Sequence, residues 1–442
     1  MDRTEVVVVL CVLLLISAFA GGLGYLALAI GDGASTSNEP TAGTIGVDET
    51  IEPIHATGTT GGNVSVGVLD VTGFDLEYPL LEDRVVAATG FGNNAAVDNS
   101  NGGSHGTAVA ATIARTAPDA DLHLVTFETA DDYEEGLEWL VDHDVDVIVA
   151  PVADAGTLGD GNSQLARATA AATERVTVVA PAGNLGTGHW TGTYSPDESG
   201  AHGFESGPLN EIRGESGHAE FHLSWDDPDE TYQLELHRLE DDGSTTRVAQ
   251  SLPREYGDVP GERLTAQLDD DTYGLAVRGP GADTETATNT RIRIASSTHS
   301  LADRRSSGSI AAPAAGHDVL SVGALDEASD EVTPYSSRGP TIDGRLGVDI
   351  VAPDTHPTGA DPSFDGTSAS AAYVGGVTAL VVDAAPDLSP EDVRRTLAST
   401  AEPTDGIDTE SGRGQVDPRA AVAAVDDTFE ATVAVEDEED AT

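Results

Sequence analysis

Hydrophobic and polar positions fall into three successive patterns along this chain. The first is a series of short, β-branched apolar runs: VSVGVLDV (Val64 to Val71), ADLHLVTF (Ala120 to Phe127) and VDVIVAPV (Val145 to Val152). Helical spacing lies between such runs. Ser163 to Arg175 reads as a helix that leads into a buried strand, Val176 to Ala180. Strands that alternate with helices predict a parallel α/β sheet with helices on both faces. The pattern then changes to period 2. Ala219, Phe221, Leu223 and Trp225 alternate with polar residues, as do Tyr232, Leu234 and Leu236, then Leu264, Ala266 and Leu268, then Tyr273, Leu275 and Val277. Turn signals such as Asp226-Asp227-Pro228 separate them, so an all-β, sandwich-like unit is inserted at 199–299. After Ile310 the α/β pattern resumes with HDVLSVGAL, GVDIVAPD and two helices, one of them N-capped by Ser389.

The remaining pattern is N-terminal. Val6 to Ile30 is continuously apolar. As a helix it measures about 37 Å, enough to cross a hydrocarbon core of about 30 Å. Ala18-Phe19-Ala20 resembles a signal-peptide cleavage site, but the apolar run continues past it, which favours an uncleaved single-pass anchor over a cleaved signal. Arg3 is the sole basic flank, an arrangement that puts the bulk of the chain outside. The expected order is a transmembrane helix at 1–30, a linker at 31–61, an α/β unit in two parts at 62–198 and 300–426 around the insert, and an acidic tail at 427–442. The reading for location is the cell membrane with the folded part extracellular, or secretion if the chain is cut after Ala20.

Composition changes the picture in two ways. Acidic residues number 77 against 21 basic ones, a net charge of -56, and every basic residue is arginine. Such a surface repels nucleic acid and anionic lipid, so neither is a partner. It also repels itself, unless molar salt shortens the screening length to about 3 Å. The acidity is spread over patterned segments, which reads as a halophilic surface. The one cysteine, Cys11, lies in the N-terminal apolar run, so no intramolecular disulfide forms and no cysteine-based metal site exists outside that run.

Four positions carry candidate chemistry. FDGTSASAAYVGGVTALVV places Ser368 at the head of a helix of small residues. Free N–H groups there favour developing negative charge, as a nucleophile needs, and suit an ordinary N-cap equally well. A nucleophilic serine needs a base and a group that orients it. Asp70 ends an apolar strand, where α/β sheets bind ligands, and His105 precedes another small-residue helix in GGSHGTAVAATIA. Asn184 ends the strand in VVAPAGN and offers an amide to an oxyanion. Singly, Asp70 and Asn184 also suit turns and His105 a helix cap.

The order Asp, His, Ser is one of three known for this triad. Together with Ala-Gly-Asn at Asn184, TPYSSRGPTIDGR and GRGQVDPRAAV, the segments resemble the subtilisin-like serine proteases (subtilases, peptidase S8 family), here of a halophilic archaeal type. The resemblance covers about Asn63 to Ser195 and Ile310 to Val425. It implies a subtilisin-like fold and a serine endopeptidase. Ser368 would be nucleophile, His105 base, Asp70 its orienter, and Asn184 an oxyanion donor beside the Ser368 N–H. Protein or peptide is the implied substrate. The chemistry requires no cofactor; structural Ca2+ is common in the family, but no site for it is placed here, and no spacing of metal ligands is visible. Oligomeric state is not legible.

The chain departs from the family in three places. The segment that receives substrate as an added strand reads Pro151-Val152-Ala153 where Ser-Leu-Gly is usual; Pro151 brings no N–H and Ala153 narrows the approach. Ala372-Tyr373 replaces Pro-His behind the serine. About thirty residues between the apolar span and the first catalytic segment leave no room for the usual inhibitory pro-domain. These departures keep two alternatives in view: a non-proteolytic surface binding or scaffold protein on the same fold, and a serine esterase, which has no need of the substrate edge.

Overall fold

The structure is a computed structural model that describes residues 50–93, 96–99, 103–254, 259–281, 289–362, 364–404 and 406–426. The apolar span Val6 to Ile30, Cys11, residues 31–49 of the linker and the acidic tail at 427–442 lie outside the described residues. Among those described, no helix is long and apolar enough to cross a membrane.

The first part of the chain forms α1 (Glu52–Ala56), β1 (Ser65–Asp70), β2 (Val85–Gly90), α2 (His105–Thr116), β3 (Asp121–Thr126), α3 (Ala130–Asp142), β4 (Val147–Val149), α4 (Gln164–Ala172) and β5 (Thr177–Pro181). Ten strands follow: β6 (His189–Thr193), β7 (Asn210–Arg213), β8 (Gly217–Trp225), β9 (Gln233–Leu239), β10 (Thr245–Gln250), β11 (Leu252–Pro253), β12 (Gly261–Leu268), β13 (Tyr273–Arg278), β14 (Arg291–Ala295) and β15 (Ser300–Leu301). The chain closes with β16 (Leu320–Asp326), β17 (Glu331–Val332), β18 (Ile350–Pro353), α5 (Thr367–Ala384), α6 (Pro390–Thr400) and α7 (Pro418–Ala423).

The central sheet runs β17-β16-β5-β4-β1-β3-β2, with β18 also on β16. All its pairings are parallel except that of β16 with β17. Its strands are buried on both faces, which is why they read as continuous apolar runs rather than as alternation. Helices α2 and α5 pack on one face and α3 and α4 on the other, around separate apolar clusters. The small residues of α5 answer a steric demand: a methyl group on Gly375 would come within 2.3 Å of Val149 Cγ2. Helix α5 therefore crosses the sheet at van der Waals distance, and its first turn is fixed by its whole length.

The insert is an antiparallel sandwich of two five-stranded sheets, β10-β9-β13-β7-β15 and β11-β12-β8-β14-β6. The alternating positions Phe221, Leu223, Trp225, Leu234, Leu236, Leu264, Leu275 and Val277 meet in one buried cluster between the sheets. Its strands begin at His189, ahead of the expected start at 199, and end at Leu301. Strand β6 (HWTGT) follows Gly188 and contains Gly192, two glycines that give its sequence the look of a loop.

Candidate active site

Asp70 is the last residue of β1, a central strand, and is fully buried. Its Oδ1 accepts the Thr72 N–H at 2.8 Å and the Thr72 hydroxyl at 2.7 Å. Its Oδ2 lies 2.6 Å from His105 Nδ1. A carboxylate only accepts, so Nδ1 carries the proton and Nε2 keeps its lone pair, the state a general base requires. Burial opposes charging the imidazole, but the charge and hydrogen bond of Asp70, with a contribution from Asp361, outweigh it and raise the His105 pKa above its ordinary value. Phe364 meets the imidazole edge-on at 5.5 Å between ring centres.

The first turn of α2 is set by three contacts. Ser104 precedes it and gives its hydroxyl to Asp361 rather than capping the helix. The Gly106 N–H donates to Thr72 Oγ1 at 2.9 Å. A methyl group on Gly106 would lie 2.5 Å from the Gly73 carbonyl oxygen, so only glycine lets the helix approach the end of β1 this closely. Thr72 thus holds both the carboxylate and the helix that bears the imidazole.

Ser368 lies in the first turn of α5, partly buried, with Gly366 at φ 92° as the residue before the helix. Asn184, three residues past β5, places its Oδ1 on the Thr367 N–H at 3.1 Å and on the Thr367 hydroxyl at 2.8 Å. That assignment turns the Nδ2 group away from Thr367, available as a donor. The Ser368 hydroxyl donates to the Pro151 carbonyl at 3.3 Å rather than to His105. Catalytic hydrogen bonds in unliganded sites are often unmade and form only when substrate binds.

The segment expected to receive substrate follows β4. Pro151, Val152 and Ala153 are all buried, and the Val152 N–H folds back onto the Ala150 carbonyl at 2.8 Å. With no N–H on Pro151, two of the three residues offer no donor to an added strand.

The sandwich reaches this region through Arg293 on β14, which is 1% exposed. It donates to the carbonyls of Thr157, of Ser309 at 3.2 Å and of Ile310 at 3.3 Å, and to His189 Nε2 at 2.9 Å. Burial pulls its pKa down to about 10. His189 gives its Nδ1 proton to the Arg305 carbonyl, and burial beside Arg293 pushes its pKa down to about 3. His222 pairs with Glu220, and His317 is exposed near Asp343. Thr72 and Arg293 carry no motif in the sequence, and Phe364, which opens the Ser368 segment, bears no role there. Among the described residues, no group of three or more His, Cys, Asp or Glu is placed to hold a metal ion.

A family model described as the Subtilase family matches residues 61–205 and 268–420. Mycosin-1 of Mycolicibacterium smegmatis is 34% identical over 114 residues, which is 24% of this chain and 25% of that protein. The halolysin-like extracellular serine protease Nep of Natrialba magadii is 33% identical over 120 residues, 26% of this chain and 21% of that protein. The matches thus span about a quarter or less of these relatives' lengths. The CspB protease of Clostridium perfringens superposes with a TM-score of 0.60 over 83% of this chain and 94% of that one, at 17% identity, a likeness of fold.

Proposed function

The chain belongs to the subtilase family, and from that premise we propose that it is a serine endopeptidase whose triad is Asp70, His105 and Ser368. One observation carries the reading: Asp70 fixes the His105 tautomer through a 2.6 Å bond, which leaves Nε2 as the site's base. In the proposed reaction His105 Nε2 takes the Ser368 proton as Oγ attacks a peptide carbonyl. The Ser368 N–H, at the head of α5, and Asn184 Nδ2 receive the oxyanion; loss of one such donor costs about 3–4 kcal/mol. The imidazolium, held by Asp70, returns the proton to the leaving amine. Water then releases the acyl group from Ser368 by the same route in reverse.

We further propose that the enzyme works in molar salt outside a halophile, held to the membrane by Val6 to Ile30. The net charge of -56 and the apolar run support this. A second reading, a serine esterase, is favoured by the turned-in Val152 N–H, because an ester needs no strand pairing. The deciding assay incubates the full chain in molar KCl with casein, peptide amides and small activated esters, beside Ser368→Ala. Loss of peptide cleavage in the variant supports the endopeptidase; ester turnover without peptide cleavage supports the esterase.

A further inference from the structure

We propose that the inserted sandwich closes the space for the substrate side chain on the acyl side of the scissile bond, so that the enzyme cleaves after glycine or alanine. The inference rests on the endopeptidase reading and gives it a substrate class. A carbonyl carbon presented to Ser368, with its oxygen toward Asn184, has its Cα between two walls. One is the edge Pro151 to Ala153; the other is the stretch that ends β5 and carries Gly183 and Asn184. The side chain on that Cα must descend between them.

Those walls are stitched together. The Asp154 N–H donates to the Ala312 carbonyl at 2.8 Å, and the Ala311 N–H donates to the Ala182 carbonyl at 2.9 Å. Residues 311–312 thus bond to both walls at once, with Ala311 as the floor. A methyl group built on Gly183 would lie 2.9 Å from Ala311 Cβ and 3.8 Å from Ala153 Cβ. The two alanine methyls are therefore at most about 6.7 Å apart, short of the two carbon contacts of about 3.5–4.0 Å each that even one methyl between them needs, so a side chain larger than a methyl has no room. An open pocket would leave its floor wet. Here Ala311 and Leu185 are 0% exposed and Ala153 is 6% exposed.

The insert supplies the back of this closure. Ala295 of β14 joins Ala153, Ala155, Leu185 and Ala311 in a single apolar cluster. Two residues earlier on the same strand, and so on the same face, Arg293 ties Thr157, downstream of one wall, to Ser309 and Ile310, which lead into the floor. Short of truncating a lining side chain, widening the space would require moving the sandwich.

The test uses the full chain in molar KCl and a series of fluorogenic peptide amides that differ only in the acyl-side residue: Gly, Ala, Val, Leu and Phe. The expected kcat/KM for Gly or Ala exceeds that for Leu or Phe at least a hundredfold. Ala311→Gly and Leu185→Ala should each raise the Leu-to-Ala ratio at least tenfold. Parent cleavage of Leu or Phe peptides at the Ala rate would overturn the inference, as would an unchanged ratio in both variants. So would a chain that cleaves casein but no member of the series. A chain that cleaves neither casein nor the series, whether or not a fluorophosphonate labels it, would defeat the endopeptidase reading itself, so the two failures are distinguishable.

Discussion

Arg293→Met removes the guanidinium that fastens the sandwich to the catalytic unit while keeping an apolar side chain of similar length. Four buried acceptors lose their donor: the carbonyls of Thr157, Ser309 and Ile310, and His189 Nε2. A fifth contact, to the Ala155 carbonyl, is 3.5 Å long and contributes little. Each orphaned acceptor costs about 1–3 kcal/mol, so the gross loss is about 8 kcal/mol at mid-range. Against this stands relief from burying the charge. The shift of the Arg293 pKa down to about 10 corresponds to about 3 kcal/mol recovered when the cation is gone. The net destabilisation expected is about 3–5 kcal/mol. Arg293→Lys should lose about half as much, because an ammonium reaches some of the carbonyls but not all. Urea unfolding in molar KCl reads this through tryptophan fluorescence. Trp190 and Trp225 lie in the sandwich core and Trp139 against the α/β core, so early loss of the sandwich signal is expected. A midpoint shift worth less than 1 kcal/mol for Arg293→Met would refute the role assigned to this residue.

Gly106→Ala should lower kcat/KM at least a hundredfold, because its methyl group meets the Gly73 carbonyl oxygen and must displace the helix that bears His105; peptide hydrolysis measured beside thermal stability separates this from unfolding. Asp70→Asn should cost about 10^4 in kcat with the fold intact, since an amide NH2 facing Nδ1 favours the wrong tautomer. The acid limb of kcat/KM should have its midpoint above pH 6.5, because His105 acts as base only when neutral and its pKa is raised; Asp361→Asn should move that midpoint down. His189 predicts a stability change of defined sign. Its folded pKa, about 3, is depressed, so between pH 6.5 and 3 the unfolded chain binds a proton that the folded chain does not. Stability is therefore intact above pH 6.5 and falls by about 1.4 kcal/mol per unit as pH drops. His189→Gln should flatten the slope between pH 6.5 and 5, before carboxylates titrate, in urea midpoints taken across that range. His105, with its raised pKa, contributes stability that is present below pH 6.5 and lost above it, outside this window.

The candidate positions for chemistry are legible because each sits at the end of a pattern. Asp70 terminates an apolar run, His105 and Ser368 open small-residue helices, and Asn184 follows a buried strand. Chain order then suggested that they meet, and the structure brings Asp70 to His105 and Asn184 to the turn of Ser368. The supporting residues were not legible. In RIRIA, Arg291 and Arg293 share one face of a strand, and alternation alone assigns that face to water. Ile292 and Ile294 do fill the sandwich core, but the opposite face at Arg293 is a second interface. Thr72 reads as a turn residue until its hydroxyl is seen between Asp70 and Gly106. At the proposed substrate edge the Val152 N–H turns back onto the Ala150 carbonyl, which no residue pattern announces.

The central claim is that Ser368 is a nucleophile activated by His105. Intact-mass spectrometry of the full chain after exposure to a fluorophosphonate in molar KCl tests it most directly. The account predicts one adduct per chain, mapped to Ser368, absent in Ser368→Ala and formed at least a hundredfold more slowly in His105→Ala. A folded chain that gains no adduct, or gains it at another residue, or at an unchanged rate in His105→Ala, would contradict it.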